Sequence, residues 1–473
     1  KERLLKRYRK RCCHEKTTFR CSNGLFSKIS IKKIKLSKSQ IQKSLGFFLL
    51  LCFMKKKEKK AAIGFIFLTL VIDITGWGII IPVIPKLIQE LINGDLSDAS
   101  KIGGWLLFAY AFTQFLLSPL IGNLSDKYGR RPIILFSLLG FSLDYLFLAF
   151  APTITFLFIG RIIAGITGAS ITTATAYIAD ISTPENRAKN FGMIGAAFGI
   201  GFIIGPVIGG LLGQFGARVP FYAAAALCFI NFLYGYFVLP ESLPKENRRE
   251  LDWSKTNPIR AIMNLKKYPK IFGLFISIML VYIGSHAVHS NWSYFTMYQF
   301  KWDEKMVGIS LGIIGLLVGI VQGVLIRWIN PKIGNEKSII YGLVLYTLGM
   351  FLFSMATESW MMFTFLIPYC LGGIAGPALQ SVITENVPAN EQGEIQGTLT
   401  SLMSLTAIIG PPLMSNVFYN FTNKNAAVHF PGAPFVLGGI LMLFSAIIAF
   451  YSFKKQRLIA VAIADTNTDL DNQ

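Results

Sequence analysis

Apolar stretches of about 20 residues follow one another along most of this sequence, separated by short polar connections. A stretch of that length forms an α-helix long enough to cross the hydrocarbon core of a bilayer. Inside a bilayer every backbone amide and carbonyl needs a partner within the protein, and a helix supplies these partners within one segment. The sequence therefore predicts an all-α integral membrane protein, with the lipid bilayer as its surroundings.

The composition supports this fold class. Hydrophobic residues make up 53% and charged residues 15% of the 473 residues, whereas soluble domains carry about 25% charged residues. A surface so poor in charge cannot face water on all sides. Soluble enzymes and soluble binding domains are therefore excluded.

The apolar stretches predict twelve transmembrane helices, numbered span 1 to span 12 in chain order. Lys and Arg concentrate in every second connection, and the positive-inside rule places those connections in the cytoplasm. We therefore expect a multi-pass protein of the inner (plasma) membrane with both termini cytoplasmic. The predicted spans lie near 61–83, 102–122, 132–150, 154–179, 190–213, 219–239, 271–293, 306–328, 338–356, 360–384, 395–418 and 433–453.

The first 53 residues lie outside this pattern. They hold many Lys and Arg residues but no apolar stretch long enough to span a bilayer. Charge alone allows such a segment to bind nucleic acid, but no recognition motif accompanies it, so we expect no nucleic-acid partner. Met54 precedes "KKKEKK" and the first span, which is typical of a cytoplasmic start. We therefore interpret residues 1–53 as a basic extension that is not native.

An internal repeat divides the remaining chain. At a shift of 205 residues, "IADISTPENRAKNFG" aligns with "ITENVPANEQGEIQG", which pairs Asp180 with Glu385 and Gly129 with Gly334. The shift covers six spans, an even number, so the two halves have the same orientation in the membrane. The predicted segments are a first half (54–239), a cytoplasmic central loop (240–270), a second half (271–453) and a cytoplasmic tail (454–473).

Several motifs resemble those of a known family. "GNLSDKYGRRP" (122–132) closely resembles the loop between spans 2 and 3 of the major facilitator superfamily. "GIGFIIGPVIGG" (199–210) is similar to the span 5 motif of its drug/proton antiporters, and "GRIIAGITGAS" and "AYIADISTPENRAKNFG" look like the bacterial tetracycline exporters. The resemblance implies the major facilitator fold, in which the substrate site lies between two six-helix halves near the midplane.

The 122–132 loop contains basic residues, which indicate its side of the membrane, and one acid, which needs another explanation. Its bases keep the loop in the cytoplasm, but an acid adds nothing to topology. In the family, this acid is thought to engage a base and the positive N-terminal end of a helix in the other half, which closes the cytoplasmic side. The helix end is then the start of span 11, near 393–397. The resemblance assigns gating to Gly122, Asp126, Gly129, Arg130, Arg131 and Arg187.

Span 5 is rich in glycine. Glycines in a membrane helix usually allow close packing of helices. In the drug/proton antiporters the motif lies where the two halves meet, and a Gly-Pro step allows the helix to bend. The antiporter motif comprises Gly195, Gly199, Gly205, Pro206 and Gly209.

Three ionisable residues lie inside predicted spans. A charge at the centre of a membrane helix costs about 2.5 to 3.5 kcal/mol on insertion scales, so such residues indicate function. Asp73 lies midway along span 1, Asp144 in span 3 and Arg161 in span 4. The tetracycline exporters carry matching residues in these spans. We therefore assign proton coupling to these three side chains, since a buried carboxyl can bind and release a proton.

Candidate substrate-binding residues lie in the second half: His286, Trp292, Gln322 and Tyr346. Gln322 matches a glutamine of the family. The sequence departs from the tetracycline exporters at Tyr346, where they carry an acid, and at Val318, where they carry a histidine. His286 and His289 share one helix face, but no third ligand is evident, so we expect no metal site.

These observations predict a proton-coupled secondary transporter that exports drug-like amphiphiles by alternating access. Tetracycline is a candidate substrate, although the departures in the second half weaken that candidate. The alternative is a facilitator or importer of a sugar or another small metabolite. An enzyme is not expected, because no nucleophile with a nearby base and no phosphate-binding loop is evident. We expect no cofactor, and a monomer that works with a small-molecule substrate and protons.

Overall fold

The structure is a computed structural model that describes residues 63–168, 170–183, 186–250, 268–269, 271–388 and 391–471. Twelve of the described helices are long and apolar enough to cross a membrane, which confirms the predicted number of spans. The predicted extension, residues 1–53, lies outside the described residues, as does most of the predicted central loop. The boundaries of these segments stay predictions.

The observed spans agree with the predicted ones to within a few residues at most of their ends. Spans 4 and 10 are each interrupted by a short break, and span 8 contains a π-helical turn over Val321–Leu325. In chain order the spans are Ile63–Ile80, Leu96–Tyr128, Arg130–Phe150, Ile154–Ile181, Asn190–Gly213, Val219–Val238, Phe272–Phe300, Glu304–Ile333, Asn335–Ser354, Ser359–Glu385, Ile395–Thr422 and Ala433–Lys455.

The connection between spans 1 and 2 is more helical than hydropathy predicts. A short helix, Ile84–Ile92, follows span 1. Span 2 begins at Leu96, earlier than predicted, because the Asp95 side chain caps it by accepting a hydrogen bond of 3.0 Å from the amide of Asp98. The first turns of span 2 are polar, so hydropathy alone does not indicate a membrane helix there.

The internal repeat is visible in the positions of the helix ends and breaks. Span 3 begins at Arg130 and span 9 begins 205 residues later at Asn335. Gly129 and Gly334 precede these helices with φ values of 109° and 81°, which L side chains rarely adopt. The interruptions of spans 4 and 10 fall at Gly168 and at its repeat partner 205 residues later, residue 373. The predicted fold of two six-helix halves in parallel repeat is therefore confirmed.

The two halves meet mainly through spans 5 and 8 and through spans 2 and 11. We refer to the end of the bundle that holds the 122–132 connection as the basic end. At the opposite end, a Cβ added to Gly308 would lie 3.0 Å from Cα of Gly210, and one added to Gly104 would lie 2.6 Å from Cβ of Ser415. Toward the basic end, a Cβ at Gly319 would meet no atom within 4 Å.

Polar contacts join the halves at the opposite end. The Lys86 ammonium lies 2.8 Å from the carboxylate of Glu304, and these residues follow span 1 and begin span 8. Two side-chain hydrogen bonds between the halves lie at the same end: Ser97 to Thr422 at 2.8 Å and Ser100 to Asn291 at 3.2 Å. In the described part of the chain the halves are thus in contact at the end away from the basic connections.

Candidate functional site

A cavity of about 690 Å³ lies between the halves near the middle of the spans. Asp73 of span 1 lines it from the first half. Three of the four predicted substrate-binding residues line it from the second half: His286, Gln322 and Tyr346. Gln322 lies in the π-helical turn of span 8 and is exposed to the cavity. These residues, which are far apart in the chain, are brought together by the packing of the halves.

The predicted residue Trp292 lies apart from this cavity. Its side chain is only 1% exposed and its indole N–H donates a hydrogen bond of 2.9 Å to the Ser310 hydroxyl. The ring packs edge-to-face on Phe353, with 5.3 Å between centroids. Trp292 therefore belongs to the packed core between span 7 and its neighbours and does not line this cavity. Its role as a substrate-binding residue stays a prediction.

The first-half wall of the cavity is rich in aromatic side chains. Trp77, Tyr110, Phe141 and Tyr145 contribute from the first half, and sequence reasoning did not predict them as site residues. Gln114 donates hydrogen bonds to the Tyr110 hydroxyl at 3.1 Å and to the carbonyl oxygen of residue 168 at 2.8 Å, which fixes this part of the wall. Aromatic faces separated by a few polar groups are typical of sites for amphiphilic small molecules.

Asp144 and Arg161 form an ion pair inside the first half. The guanidinium Nη2 of Arg161 donates to Oδ2 of Asp144, and the two side chains are 7% and 0% exposed, respectively. A Cβ added to Gly160 would lie 2.9 Å from Oδ1 of Asp144, so the small residue leaves room for the carboxylate. Oδ1 of Asp144 and Nε of Arg161 make no hydrogen bond within the described residues. The pair is therefore fully buried but incompletely satisfied.

The predicted gating loop folds back on its own half. Arg130 lies 2.5 Å from the carboxylate of Asp126 and 3.1 Å from that of Asp180, and it donates to the Ser125 hydroxyl at 2.6 Å. Arg130 is 9% exposed, so these contacts surround a nearly buried guanidinium. Such charge-assisted bonds fix the loop against span 4.

Glu241, at the end of span 6, completes this network. Its carboxylate accepts hydrogen bonds from the backbone amides of Arg130 at 2.9 Å and Arg131 at 3.3 Å, where it compensates the positive end of span 3. A Cβ at Gly129 would lie 2.8 Å from Cδ of Glu241. Gly129 is thus required both by its positive φ and by the nearby carboxylate.

Asp126 contacts no second-half residue within the part of the chain that the structure describes. The side chains of Arg187 and of residues 392–394 lie outside that part, so the predicted contact with the start of span 11 stays a prediction. Gly122 has open space around it. Asp180 and Glu241, which hold Arg130 and the start of span 3, were not among the predicted gating residues, although Asp180 lies in the motif "AYIADISTPENRAKNFG".

The glycines of span 5 divide into two groups. A Cβ at Gly205 would lie 2.7 Å from the carbonyl oxygen of Thr75, and one at Gly209 would lie 2.7 Å from the carbonyl carbon of Ile79. These glycines allow span 5 to pack closely on span 1, the helix that carries Asp73. Gly195 and Gly199, nearer the basic end, have no atom within 4 Å of such a Cβ. Pro206 lies within the helix, as predicted.

The comparisons with known proteins agree with the fold. Residues 66–411 and 274–463 match the Major Facilitator Superfamily. The chain belongs to this superfamily.

Two relatives in this superfamily cover most of the chain. Tetracycline resistance protein, class C, from Escherichia coli is 37% identical over 375 residues, which are 79% of this chain and 93% of the relative. Multidrug resistance protein 2 from Bacillus subtilis is 31% identical over 398 residues, 82% of this chain and 95% of the relative. The resemblance to the tetracycline exporters that the motifs predicted is thereby confirmed.

A solved structure supports the fold independently. The bacterial homologue of the human lysosomal transporter Spinster, in an inward-facing and unoccupied conformation, superposes with a TM-score of 0.66. The alignment covers 84% of this chain and 97% of that chain at 14% identity. At this identity the likeness concerns the fold of this superfamily member and not its substrate.

Proposed function

We propose that this superfamily member exports drug-like amphiphiles across the inner membrane in exchange for protons. The observation that carries the proposal is the cavity between the halves, which combines an aromatic wall with the carboxyl of Asp73. The names of its relatives, which are tetracycline and multidrug resistance proteins, support a drug-like substrate. Tetracycline itself remains a candidate among such amphiphiles.

Proton exchange is assigned to the first half. Asp73 borders the cavity and is 7% exposed, so a proton on its carboxyl is sensitive to an occupant of the cavity. Asp144 is completely buried beside Arg161. Carboxyls in such surroundings can change protonation during a transport cycle, and the membrane supplies a proton gradient to drive it. No second protein is needed for this cycle, so we infer that a monomer is sufficient.

We further propose that the basic end faces the cytoplasm, which places both termini there. Lys and Arg follow spans 2, 4 and 12 on that side. With this orientation, the contacts of Lys86 with Glu304 and of Ser97 with Thr422 lie on the outer side. The described conformation then has its outer side closed, and the cavity is available for loading from the cytoplasm.

A facilitator or importer of a sugar or small metabolite is the weaker alternative. A sugar site needs many polar groups to replace water around its hydroxyls. The cavity instead presents Trp77, Phe141, Phe198 and Phe202 to its occupant. The apolar wall therefore favours an amphiphile that partitions into the membrane.

Proton release on addition of substrate tests the proposed function. Everted membrane vesicles that carry the protein are energised, and tetracyclines, quinolones and lipophilic dyes are added in turn while the internal pH is followed. We expect at least one amphiphile to release protons from the lumen in a saturable manner. Movement of a sugar across the vesicle membrane without proton release from the lumen, together with no release by any of the amphiphiles, would support the alternative.

Asp126→Asn is expected to bias the transporter toward the state that is open to the cytoplasm. The charge-assisted contact with the positive end of span 11 is worth about 0.3 to 2 kcal/mol, and its loss changes the equilibrium about two- to thirtyfold. Cysteine labelling from the cytoplasmic side, read together with transport rates, measures the change. Glu246→Gln, an exposed acid at the same end, serves as the control. Unchanged labelling and transport in Asp126→Asn would indicate that the acid has no role in gating and that the loop only determines the orientation of the protein in the membrane.

Glu304→Gln is expected to favour the outward-open state. The Glu304 side chain is 9% exposed and its carboxylate is held by Lys86. Neutralisation should therefore lower the population of the outward-closed state, relative to the outward-open state, about threefold to tenfold. Distances between spin labels on the outer ends of spans 1 and 8 report the two populations. Glu90→Gln removes an exposed acid in the same region and leaves them unchanged. An identical distance distribution in both variants would argue against a role for this ion pair.

A further inference from the structure

The second-half wall of the cavity carries hydrogen-bonding groups that proton coupling does not use. Tyr282 and His289 lie on span 7, and Gln380 lies on span 10. All three line the cavity, opposite the wall that carries Asp73. The resemblance to the tetracycline exporters assigned no role to any of them.

The protonated nitrogen of His289 can be assigned from its hydrogen bond. Nδ1 of His289 lies 3.0 Å from the carbonyl oxygen of Ser285. A carbonyl oxygen only accepts, so Nδ1 carries the proton, and Nε2 of the neutral ring is an acceptor. His289 is exposed although it lies within a membrane span, because it borders the cavity. Nε2 is therefore available to a donor on a bound molecule.

Tyr282 and Gln380 form a second polar unit. The amide nitrogen of Gln380 donates a hydrogen bond of 2.8 Å to the Tyr282 hydroxyl oxygen. The hydroxyl hydrogen of Tyr282 is then free to donate to another acceptor, and the amide oxygen of Gln380 is free to accept. This unit thus offers one donor and one acceptor to the cavity.

Tyr282 and His289, one residue from each unit, lie along one face of span 7. Tyr282 and His289 are seven residues apart, which is close to two helical turns and about 10 Å along the axis. A flat molecule of two or three fused rings has about this length and can contact both units at one edge. Its other side faces the aromatic residues of the first half, such as Tyr110 and Phe141.

We propose that Tyr282, His289 and Gln380 form a subsite for the hydroxyl and carbonyl edge of an aromatic amphiphile. A hydroxyl of the substrate donates to Nε2 of His289 or to the amide oxygen of Gln380, and a carbonyl oxygen accepts from Tyr282. The inference rests on the proposed export of amphiphiles and specifies which of them the cavity selects. Lipophilic molecules without these groups bind through the aromatic wall alone.

Equilibrium binding to the purified protein in lipid nanodiscs tests the subsite with a matched pair of probes. The probes are 2,6-dihydroxyanthraquinone, whose hydroxyls cannot reach its own carbonyl oxygens, and its dimethyl ether, which lacks the hydroxyl donors. We expect the wild type to bind the dihydroxy probe about three- to tenfold more tightly, the range for one hydrogen bond. His289→Phe should reduce this preference toward one, because it removes the acceptor of the hydroxyl. Tyr282→Phe removes the donor to the carbonyl oxygen that both probes keep, so it should weaken the binding of both probes about equally.

Tyr110→Phe is the matched control. Tyr110 also lines the cavity and its hydroxyl also accepts from a glutamine, Gln114, but it lies on the first-half wall. The ratio of the two affinities should therefore stay at the wild-type value in this variant, whatever its effect on binding overall. Loss of the preference in Tyr110→Phe alone would place the selective groups on the first-half wall and overturn the proposal.

The outcomes separate the subsite from the proposed function. Equal wild-type affinities for the two probes, a full preference in His289→Phe, or wild-type affinity for both probes in Tyr282→Phe would overturn the subsite. If the dimethyl ether is still accumulated against its gradient in that case, the proposed export stands. If the wild type binds neither probe, the subsite falls, and transport of the amphiphile panel decides separately on the proposed export.

Discussion

Asp144→Asn is expected to abolish uphill transport and to lower the stability of the folded protein. The wild-type carboxylate is completely buried and bonded to Arg161. Asparagine cannot carry the exchanged proton, and it leaves the guanidinium as an uncompensated buried charge. Breaking a buried ion pair in this way typically costs about 3 to 5 kcal/mol. We therefore expect export at the passive level and a lower unfolding temperature in detergent.

The double variant Asp144→Asn/Arg161→Gln separates the two effects. It removes both charges, so much of the lost stability should return, since a neutral pair of similar size is often as stable as a buried ion pair. Uphill transport should stay absent, because the carboxyl is still missing. Export at the wild-type rate in the double variant would show that the proton is carried elsewhere. An unchanged unfolding temperature in the single variant would contradict the buried pair.

Asp73→Asn is expected to uncouple transport from the proton gradient. Its carboxyl lies at the cavity wall, where we propose that the binding of a substrate displaces the proton. The amide keeps the size of the side chain but cannot bind or release a proton. Accumulation driven by a pH gradient should fall to the passive level, a loss of at least about tenfold, which corresponds to 1.4 kcal/mol of coupling. Substrate binding at equilibrium should persist.

Two measurements check this expectation. Gradient-driven accumulation and equilibrium binding are compared in the same membranes, and Asp98→Asn, an exposed acid at the start of span 2, is the control that leaves both unchanged. Full accumulation in Asp73→Asn would remove this residue from the coupling machinery. Loss of binding together with accumulation would instead make Asp73 a substrate ligand.

The fold was predictable because hydrophobic length and an internal repeat determine it. Each span follows from a local stretch of apolar residues, and the repeat paired Gly129 with Gly334, which both have a positive φ in the structure. The early start of span 2 was not predictable from hydropathy, because Asp95 and the polar residues after it form the first turns. At this helix start, the cap by Asp95 stabilises turns that their low hydrophobicity does not predict as part of a span.

The candidate site was predictable only in part. Asp144 and Arg161 were found because charges inside spans are rare, but their pairing requires the packing of spans 3 and 4. The partners of Arg130 lie 50 and 111 residues away, at Asp180 and Glu241, and no local pattern indicates them. The position of Trp292 in the packed core was not predictable, because an aromatic residue in a span can face either the core or the cavity. Its hydrogen bond with Ser310 decides this.

The repeat also explains an asymmetry between the halves. In the first half, Arg130 pairs with Asp180, whereas the residues at the same positions of the second half, Asn335 and Glu385, lie 3.4 Å apart with only one charge. The charge-assisted network is therefore complete in the first half alone. This agrees with the proposal that gating and proton coupling are concentrated in that half.

Transport in proteoliposomes under an imposed pH gradient tests the central proposal most directly. The purified protein is reconstituted with an amphiphile at equal concentration on both sides, and a proton gradient is then applied in either direction. The account predicts net movement of the amphiphile against the direction of proton flow, reversed when the gradient is reversed and absent in Asp73→Asn. Movement that is independent of the gradient, or in the same direction as the protons, would contradict proton-coupled export.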